Sequence, residues 1–218
     1  RYAGAEIRTS FLQRLPGGVS HYKWYLALMS HAIESFDLAG FDLVISDASA
    51  FAKGVRVPRG TPHLCYLHTP TRYLWSDRES YLASAPVPGP IRPILNALLP
   101  RIQAWDLVAS KRPDAYIANS HEVAKRLEHY YQRQAAAVIF PPVDASQFRP
   151  VPTRGEYWFT VARLEPYKRL DLILDAFAEL GWPLKVAGTG SRKGALERWG
   201  RSSTIEFVGR VSDQRLAR

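Results

Sequence analysis

The sequence predicts an α/β protein made of two doubly wound, parallel-sheet units, and three observations carry that expectation. Short continuous apolar runs alternate with stretches of helical apolar spacing along the 218 residues. Each apolar run ends in polar or turn residues, the pattern of a strand buried on both faces of a parallel sheet. The alternation stops in a stretch rich in proline and glycine and then starts again.

Taken in order, the first element is a helix on which Tyr22, Tyr25, Leu26, Met29 and Ile33 recur at helical spacing. Strands follow at residues 42–46 and 63–67. The stretch 91–111 is helical and strongly apolar (Ile94, Leu95, Leu98, Leu99, Ile102, Trp105, Val108), with Pro100 a kink or break. A strand at 115–118 leads into a helix on Val123, Leu127, Tyr130 and Tyr131, and a strand at 137–140 follows. Asn119, with Glu122 three residues on, reads as the cap of that helix. Asp144 reads as an Asx-type turn after Pro141 and Pro142. Pro150, Pro152 and Gly155 continue a linker, which places the domain boundary between 148 and 149. The second unit restarts with a strand at 157–162 and a helix on Leu170, Ile173, Leu174 and Phe177, stopped by Gly181 and Pro183. A strand at 184–187, a Gly188-Thr189-Gly190 turn, a helix to about Trp199 and a strand at 205–208 complete it. Ser212 or Asp213 would cap a further helix, yet little chain follows, and the first residue is Arg1. The sequence therefore reads as a piece of a longer protein cut at both ends, with a domain over 1–148 lacking its first strand and the start of another over 149–218.

Composition narrows the classes. A chain that is 46% hydrophobic with one cysteine is neither low-complexity nor disulfide-stapled. The lone Cys65 forms no internal disulfide, which fits a reducing cytoplasm. No apolar run reaches the roughly 18–20 residues that cross a bilayer. The formal charge of +9 suits anionic partners. The basic residues are scattered rather than gathered in a stripe, which argues against nucleic acid. No D-x-D metal motif, zinc spacing, G-x-S-x-G elbow or Walker loop occurs.

The sharpest chemical signal is Arg163-Leu-Glu-Pro-Tyr-Lys168, placed where a strand ends and a helix begins. That edge of an open α/β sheet is where ligands bind. Two cations beside unpaired helix N–H groups match a diphosphate. A pair of solvated surface cations, with Arg163 bonded to Glu165, reads the same residues equally well. Gly188 and Gly190 either let a backbone approach phosphate or form a plain strand-to-helix turn. His68 falls at the carboxyl end of strand 63–67, with Tyr73 and Trp75 nearby. It is either a donor to a sugar hydroxyl, with the aromatic faces stacking on the ring, or a structural histidine in a packed loop.

Six segments occur in an order that makes the chain recognisable: Tyr66-Leu-His-Thr-Pro70, Ala118-Asn-Ser120, Pro141-Pro-Val-Asp144, Val161-Ala-Arg-Leu-Glu-Pro-Tyr-Lys-Arg169, Ala187-Gly-Thr-Gly190 and Phe207-Val-Gly-Arg-Val-Ser212. With them the chain resembles the retaining glycosyltransferases of family 4, in particular bacterial mannosyltransferase-like members with the GT-B fold. The resemblance implies two Rossmann-like domains, both incomplete here, and transfer of a hexose, mannose in particular, from a nucleoside-diphosphate sugar such as GDP-mannose to an acceptor hydroxyl with retention. It implies metal-independent catalysis with no cofactor: Arg163 and Lys168 would neutralise the departing diphosphate and His68 would reach the transferred sugar. Gly188, Gly190, Gly209, Arg210 and Val211 would border the donor, and Thr69, Arg72 and Asn119 would line the cleft or the acceptor side. A glycan or lipid-linked acceptor, polysaccharide or glycolipid synthesis, and a place in the cytoplasm at the inner membrane face follow from the same likeness. The chain departs from the family in two respects. No two glutamates lie eight apart, so the family's Glu-x7-Glu motif is missing, as is the glycine-rich loop after the first strand. The isolated chain is therefore expected to be inactive and to bind donor weakly. A non-catalytic nucleotide- or polyanion-binding module of the same fold is the alternative reading.

Overall fold

The computed structural model describes residues 4–84, 92–147, 155–200 and 202–216. Among the described residues seven strands run in two sheets, each wholly parallel and each with its strands in chain order. The first sheet contains β1 (Val44–Ala48), β2 (His63–Leu67), β3 (Ala115–Ala118) and β4 (Ala135–Val138). The second contains β5 (Trp158–Val161), β6 (Leu184–Ala187) and β7 (Ile205–Gly209). The chain divides into two units, Arg1–Pro141 and Pro142–Arg218. The boundary expected at 148/149, and Pro150 and Pro152 of the expected linker, lie outside the described residues.

In the first unit the covered sheet face is made by Ala48, Cys65, Leu67, Tyr116 and Ala118, packed against Val123, Leu127 and Tyr131. Those three side chains belong to α4 (His121–Tyr131); they recur at four-residue steps and so line one stripe. A second cluster gathers Leu26 and Leu74 around Leu95, Leu99 and Ile102. The latter three are the inner face of α3 (Arg92–Ala109), while Ile94, Leu107 and Val108 are exposed. Pro100 lies inside α3 and does not end it. It sits on the exposed side, and the buried residues before and after it hold both halves against one core. In the second unit Leu164, Leu184 and Val186 meet Leu170, Leu174 and Leu196. The last three come from α5 (Leu170–Leu180) and α6 (Lys193–Trp199).

Several elements differ from the expectation for physical reasons. Residues 22–34 do not form one helix. A 3-10 helix spans Tyr22–Leu28, Tyr25 is non-helical, and only α1 (Met29–Glu34) is α-helical. Trp24 and Tyr22 are exposed, and the stripe meets the second cluster only through Leu26 and Met29, too little packing to hold one long helix. The first strand sits two residues later than expected and the fourth two residues earlier, leaving Ile139 and Phe140 exposed. Asn119 does not cap α4: Ser120 does, its Oγ accepting from the Val123 N–H at 3.2 Å. Asp144 forms the expected Asx turn, Oδ1 accepting from the Ser146 N–H at 3.1 Å. Gly181, at φ 66°, closes α5 as the sequence predicts.

Strand orders that follow the chain place right-handed crossovers on one side of each sheet. Among the described residues the opposite faces stay open. Ile45 is 66% exposed, and Tyr157, Phe159 and Val161 are exposed as well.

Candidate functional site

At the carboxyl edge of the second sheet, three strand ends converge. Beyond β5 the chain runs Ala162-Arg163-Leu164 directly against the end of β6. The Ala162 N–H donates to the Ala187 carbonyl at 3.1 Å and the Leu164 N–H to the Thr189 carbonyl at 3.0 Å. Leu164 is buried beneath, so Arg163, the residue before it, is exposed at the edge. The crossing leaves no room for a side chain at either glycine of the partner loop. A Cβ on Gly188 would lie 1.9 Å from the Ala162 carbonyl oxygen, and one on Gly190 would lie 2.4 Å from that of Leu164. The two glycines are therefore required by backbone lying on backbone, which by itself accounts for their identity. Gly188 also donates its N–H to the Gly209 carbonyl at 2.7 Å, bringing Gly209, at φ 69°, to the same edge with Arg210 and Val211 after it.

A 3-10 turn (Pro166–Lys168) carries Lys168 out to solvent, its Nζ 5.5 Å from the centre of the Tyr167 ring. The helix does not start at once, as the sequence reading had it. Arg169 adopts a left-handed conformation at φ 47°, uncommon for a side chain with Cβ, and α5 begins only at Leu170. Arg169 donates to both oxygens of Asp171. Glu165 accepts from the Ser191 N–H at 3.2 Å and from its hydroxyl at 2.7 Å, tying the loop of Arg163 and Lys168 to that of the glycines. A hollow of about 740 Å³ lies along the open sheet face of this unit, lined by Tyr157, Phe159, Lys185, Glu206 and Val208, and reaches Val211 and Ser212 just past the strand edge. The cations, the glycines and the backbone N–H groups gather at the strand edge itself, where open α/β sheets take their ligands.

In the first unit His68 follows β2 at the carboxyl edge, its N–H bonded to the Ala48 carbonyl at 2.8 Å. Its Nε2 makes a close hydrogen bond with the Asp47 carboxylate, and its ring stands edge-on to Tyr66 at 5.3 Å. Thr69 follows with a buried hydroxyl that finds no partner among the described residues. Arg72 forms a close ion pair with Asp77. The Asn119 N–H donates to the Leu67 carbonyl at 3.1 Å, and its Oδ1 accepts from Ser120, so Asn119 stands one strand over from His68. Tyr73 and Trp75 do not offer open faces to a sugar ring. Trp75 packs against Tyr130 and Tyr131, and Tyr73 lies against Tyr81 beside the second core cluster, where burial pushes its phenol pKa up. Cys65 is fully buried, and burial pushes its thiol up to about 11, so it is inert.

Arg163, Gly188, Gly190 and Gly209 lie together at the carboxyl edge of the second sheet, with Lys168 on the 3-10 turn that follows and Arg210 and Val211 after Gly209. His68, Thr69 and Asn119 stand at the carboxyl edge of the first sheet, with Arg72 on the loop that follows. Two contacts are not singled out by the sequence: that of Asp47 with His68, and that of Glu165 with Ser191, which joins the two loops of the second unit. Placing β1 two residues later would have put Asp47 at the strand end beside His68.

A family model described as Glycosyltransferase Family 4 matches residues 4–147. No curated protein matches the chain. Among solved structures, that of TarM aligns with a TM-score of 0.55 at 13% identity, over 80% of this chain and 34% of that one. The pneumococcal O-GlcNAc transferase GtfA, solved with UDP and GlcNAc, aligns with a TM-score of 0.42 at 16% identity, over 78% and 34%. The chain spans about a third of the length of both.

Proposed function

Because the chain belongs to glycosyltransferase family 4, with α/β parallel-sheet units of the GT-B type, we propose that it carries part of the site of a retaining hexosyltransferase that uses a nucleoside-diphosphate sugar. The observation that carries the donor half is the convergence of Arg163, Lys168 and the 188–190 and 209–211 loops on one strand edge. As the bond from the sugar C1 to the diphosphate breaks, negative charge develops on the phosphate oxygens. Two cations held on a rigid strand end and a loop tied by Glu165 stabilise that charge more than they stabilise the bound donor. They do so without a metal ion, so EDTA leaves the affinity of the chain for GDP unchanged. Gly188 and Gly190 expose backbone at that edge, and Gly209, Arg210 and Val211 border the base. In the first unit His68, held through Nε2 by Asp47, offers its other ring nitrogen to a hydroxyl of the transferred sugar, with Thr69, Arg72 and Asn119 beside it. Mannose as the sugar, GDP as the nucleotide, a glycan or lipid-linked acceptor and work at the cytoplasmic membrane face complete the proposal. Among the described residues no helix is long and apolar enough to cross a membrane.

Calorimetric titration of GDP into the chain and into its Arg163→Ala and Lys168→Ala variants tests the donor half. Each variant is expected to weaken binding by about tenfold or more, the worth of a charge-assisted hydrogen bond. Unchanged affinity in both overturns the assignment. Tighter binding of UDP than of GDP removes the mannose part and leaves the diphosphate site standing.

A further inference from the structure

Lys53 and Asp106 are both fully buried and form a close ion pair in the interior of the first unit, away from the strand edges. The pair is complete in its hydrogen bonds. The three N–H groups of Lys53 are directed to the Ala50 carbonyl at 2.7 Å, to the Thr71 hydroxyl at 3.3 Å and to Asp106. Asp106 Oδ1 also accepts from the Thr71 hydroxyl at 2.9 Å. Its Oδ2 accepts from the Trp75 indole N–H at 2.8 Å and from the Tyr131 hydroxyl at 2.6 Å. The Tyr131 oxygen in turn accepts from the Thr71 backbone N–H at 3.3 Å. Burial pushes the Lys53 ammonium below its ordinary range, and Asp106 pulls it back.

Stability gives no reason to keep such a pair, since apolar side chains of the same volume usually serve a core as well or better. What apolar contacts lack is direction. Four of the bonds in this network end on Thr71 or Trp75, the closing half of the loop that leaves β2 with His68, Thr69 and Arg72. Gln103 adds a further tie from the same helix, its Nε2 donating to the Leu74 carbonyl at 3.0 Å. The loop is fastened to α3 at its far end and to β1, through His68 and Asp47, at its near end.

We infer that Lys53 and Asp106 are positioning residues of the transfer site, a buried ionic anchor that fixes the 68–75 loop so that His68, Thr69 and Arg72 keep one geometry. The inference rests on the reading of that loop as part of the sugar-transfer site.

The test is built on the volume-matched double variant Lys53→Met/Asp106→Leu, which removes both charges together, and on Thr71→Val, which keeps the pair and deletes the loop's hydroxyl. Amide hydrogen exchange of residues 68–75 is expected to quicken by about tenfold or more in both, the ratio one lost hydrogen bond of ordinary strength is worth. Exchange in α4 and the nuclear Overhauser contact between the Tyr66 and His68 rings give the comparison: the first stays as in the wild type, the second fades. Unchanged exchange in the loop, or an unchanged His68–Tyr66 contact, overturns the inference. By calorimetry both variants bind GDP as the wild type does, because Arg163 and Lys168 are untouched; weakened GDP binding in either overturns it. If the wild type binds no nucleotide, the functional reading fails, and the exchange and ring-contact results still decide whether the anchor holds the loop.

Discussion

Glu34 shows how much a single side chain gathers in this protein. It accepts from the Trp105 indole at 2.6 Å, from Arg112 at 2.6 Å and from Arg56 at 2.9 Å. Burial pushes its carboxyl up, but those three donors outweigh burial and hold it at about 2, below the ordinary glutamate value of 4.5. A carboxyl depressed on folding contributes stability that is fully present above its unfolded value and is lost as the pH falls through the folded one. The window is therefore from about pH 5 down to about pH 2. Glu34→Gln is expected to cost roughly 2 kcal/mol at pH 7, discounted for the solvent reaching Arg56, with the gap closing towards pH 2. Thermal unfolding of both proteins across that range checks it, and a gap independent of pH excludes the mechanism. Residues of this kind were not legible in the sequence. His68 and Arg163 stand out because each follows an apolar run, and Lys168 because it lies five residues after Arg163, ahead of the next helical stretch. The partners that fix the site do not: Asp47 lies 21 positions from His68, Glu165 lies 26 from Ser191, and Lys53 lies 53 from Asp106. Periodicity reports which face a residue occupies and nothing about which distant residue shares it.

At the scale of elements, strands and well-packed helices were read closely from the sequence, and the misses fall where packing decides. The helix of α5 and its Gly181 stop carry their own signals. The stretch 22–34 has helical spacing but meets the core only through a few of its residues, whereas α3 continues past Pro100 because both of its halves are anchored in one core. The glycine turn was legible as a turn, yet its cause is the crossing of the 162–164 segment over it, which spacing does not reveal. That crossing predicts the effect of one methyl group. Gly188→Ala places Cβ 1.9 Å from a backbone oxygen at a φ of 137° that side chains rarely adopt. Backbone cannot yield as a flexible side chain does, so the variant is expected to lose about 2–3 kcal/mol and to displace the loop of Arg163. Denaturant unfolding measures the first, and loss of nucleotide affinity measures the second. A fully stable variant would show that the crossing is looser than described.

For the whole molecule, the class and the order of elements were readable before any coordinates, because two parallel sheets announce themselves as apolar runs between amphipathic helices. What the runs do not disclose is that both sheets add strands in one direction only. The consequence is colloidal. Each sheet turns an apolar side outward, marked by Ile45 in one and by Phe159 and Val161 in the other, while the molecule as a whole carries a formal charge of +9. At low ionic strength that charge keeps copies apart; salt shortens the reach of the repulsion to about 8 Å at 0.15 M and leaves the apolar faces free to pair. Static light scattering of this chain is therefore expected to show net repulsion at low salt turning to net attraction as sodium chloride is added. Ile45→Lys and Phe159→Lys are expected to hold the chain monomeric through the same titration. If they associate as readily as the wild type, the contacts between copies are made elsewhere. Salt, which weakens the grip of Arg163 and Lys168 on a diphosphate, thus strengthens the attraction of one copy for the next, and a binding assay on this chain is best read at low ionic strength.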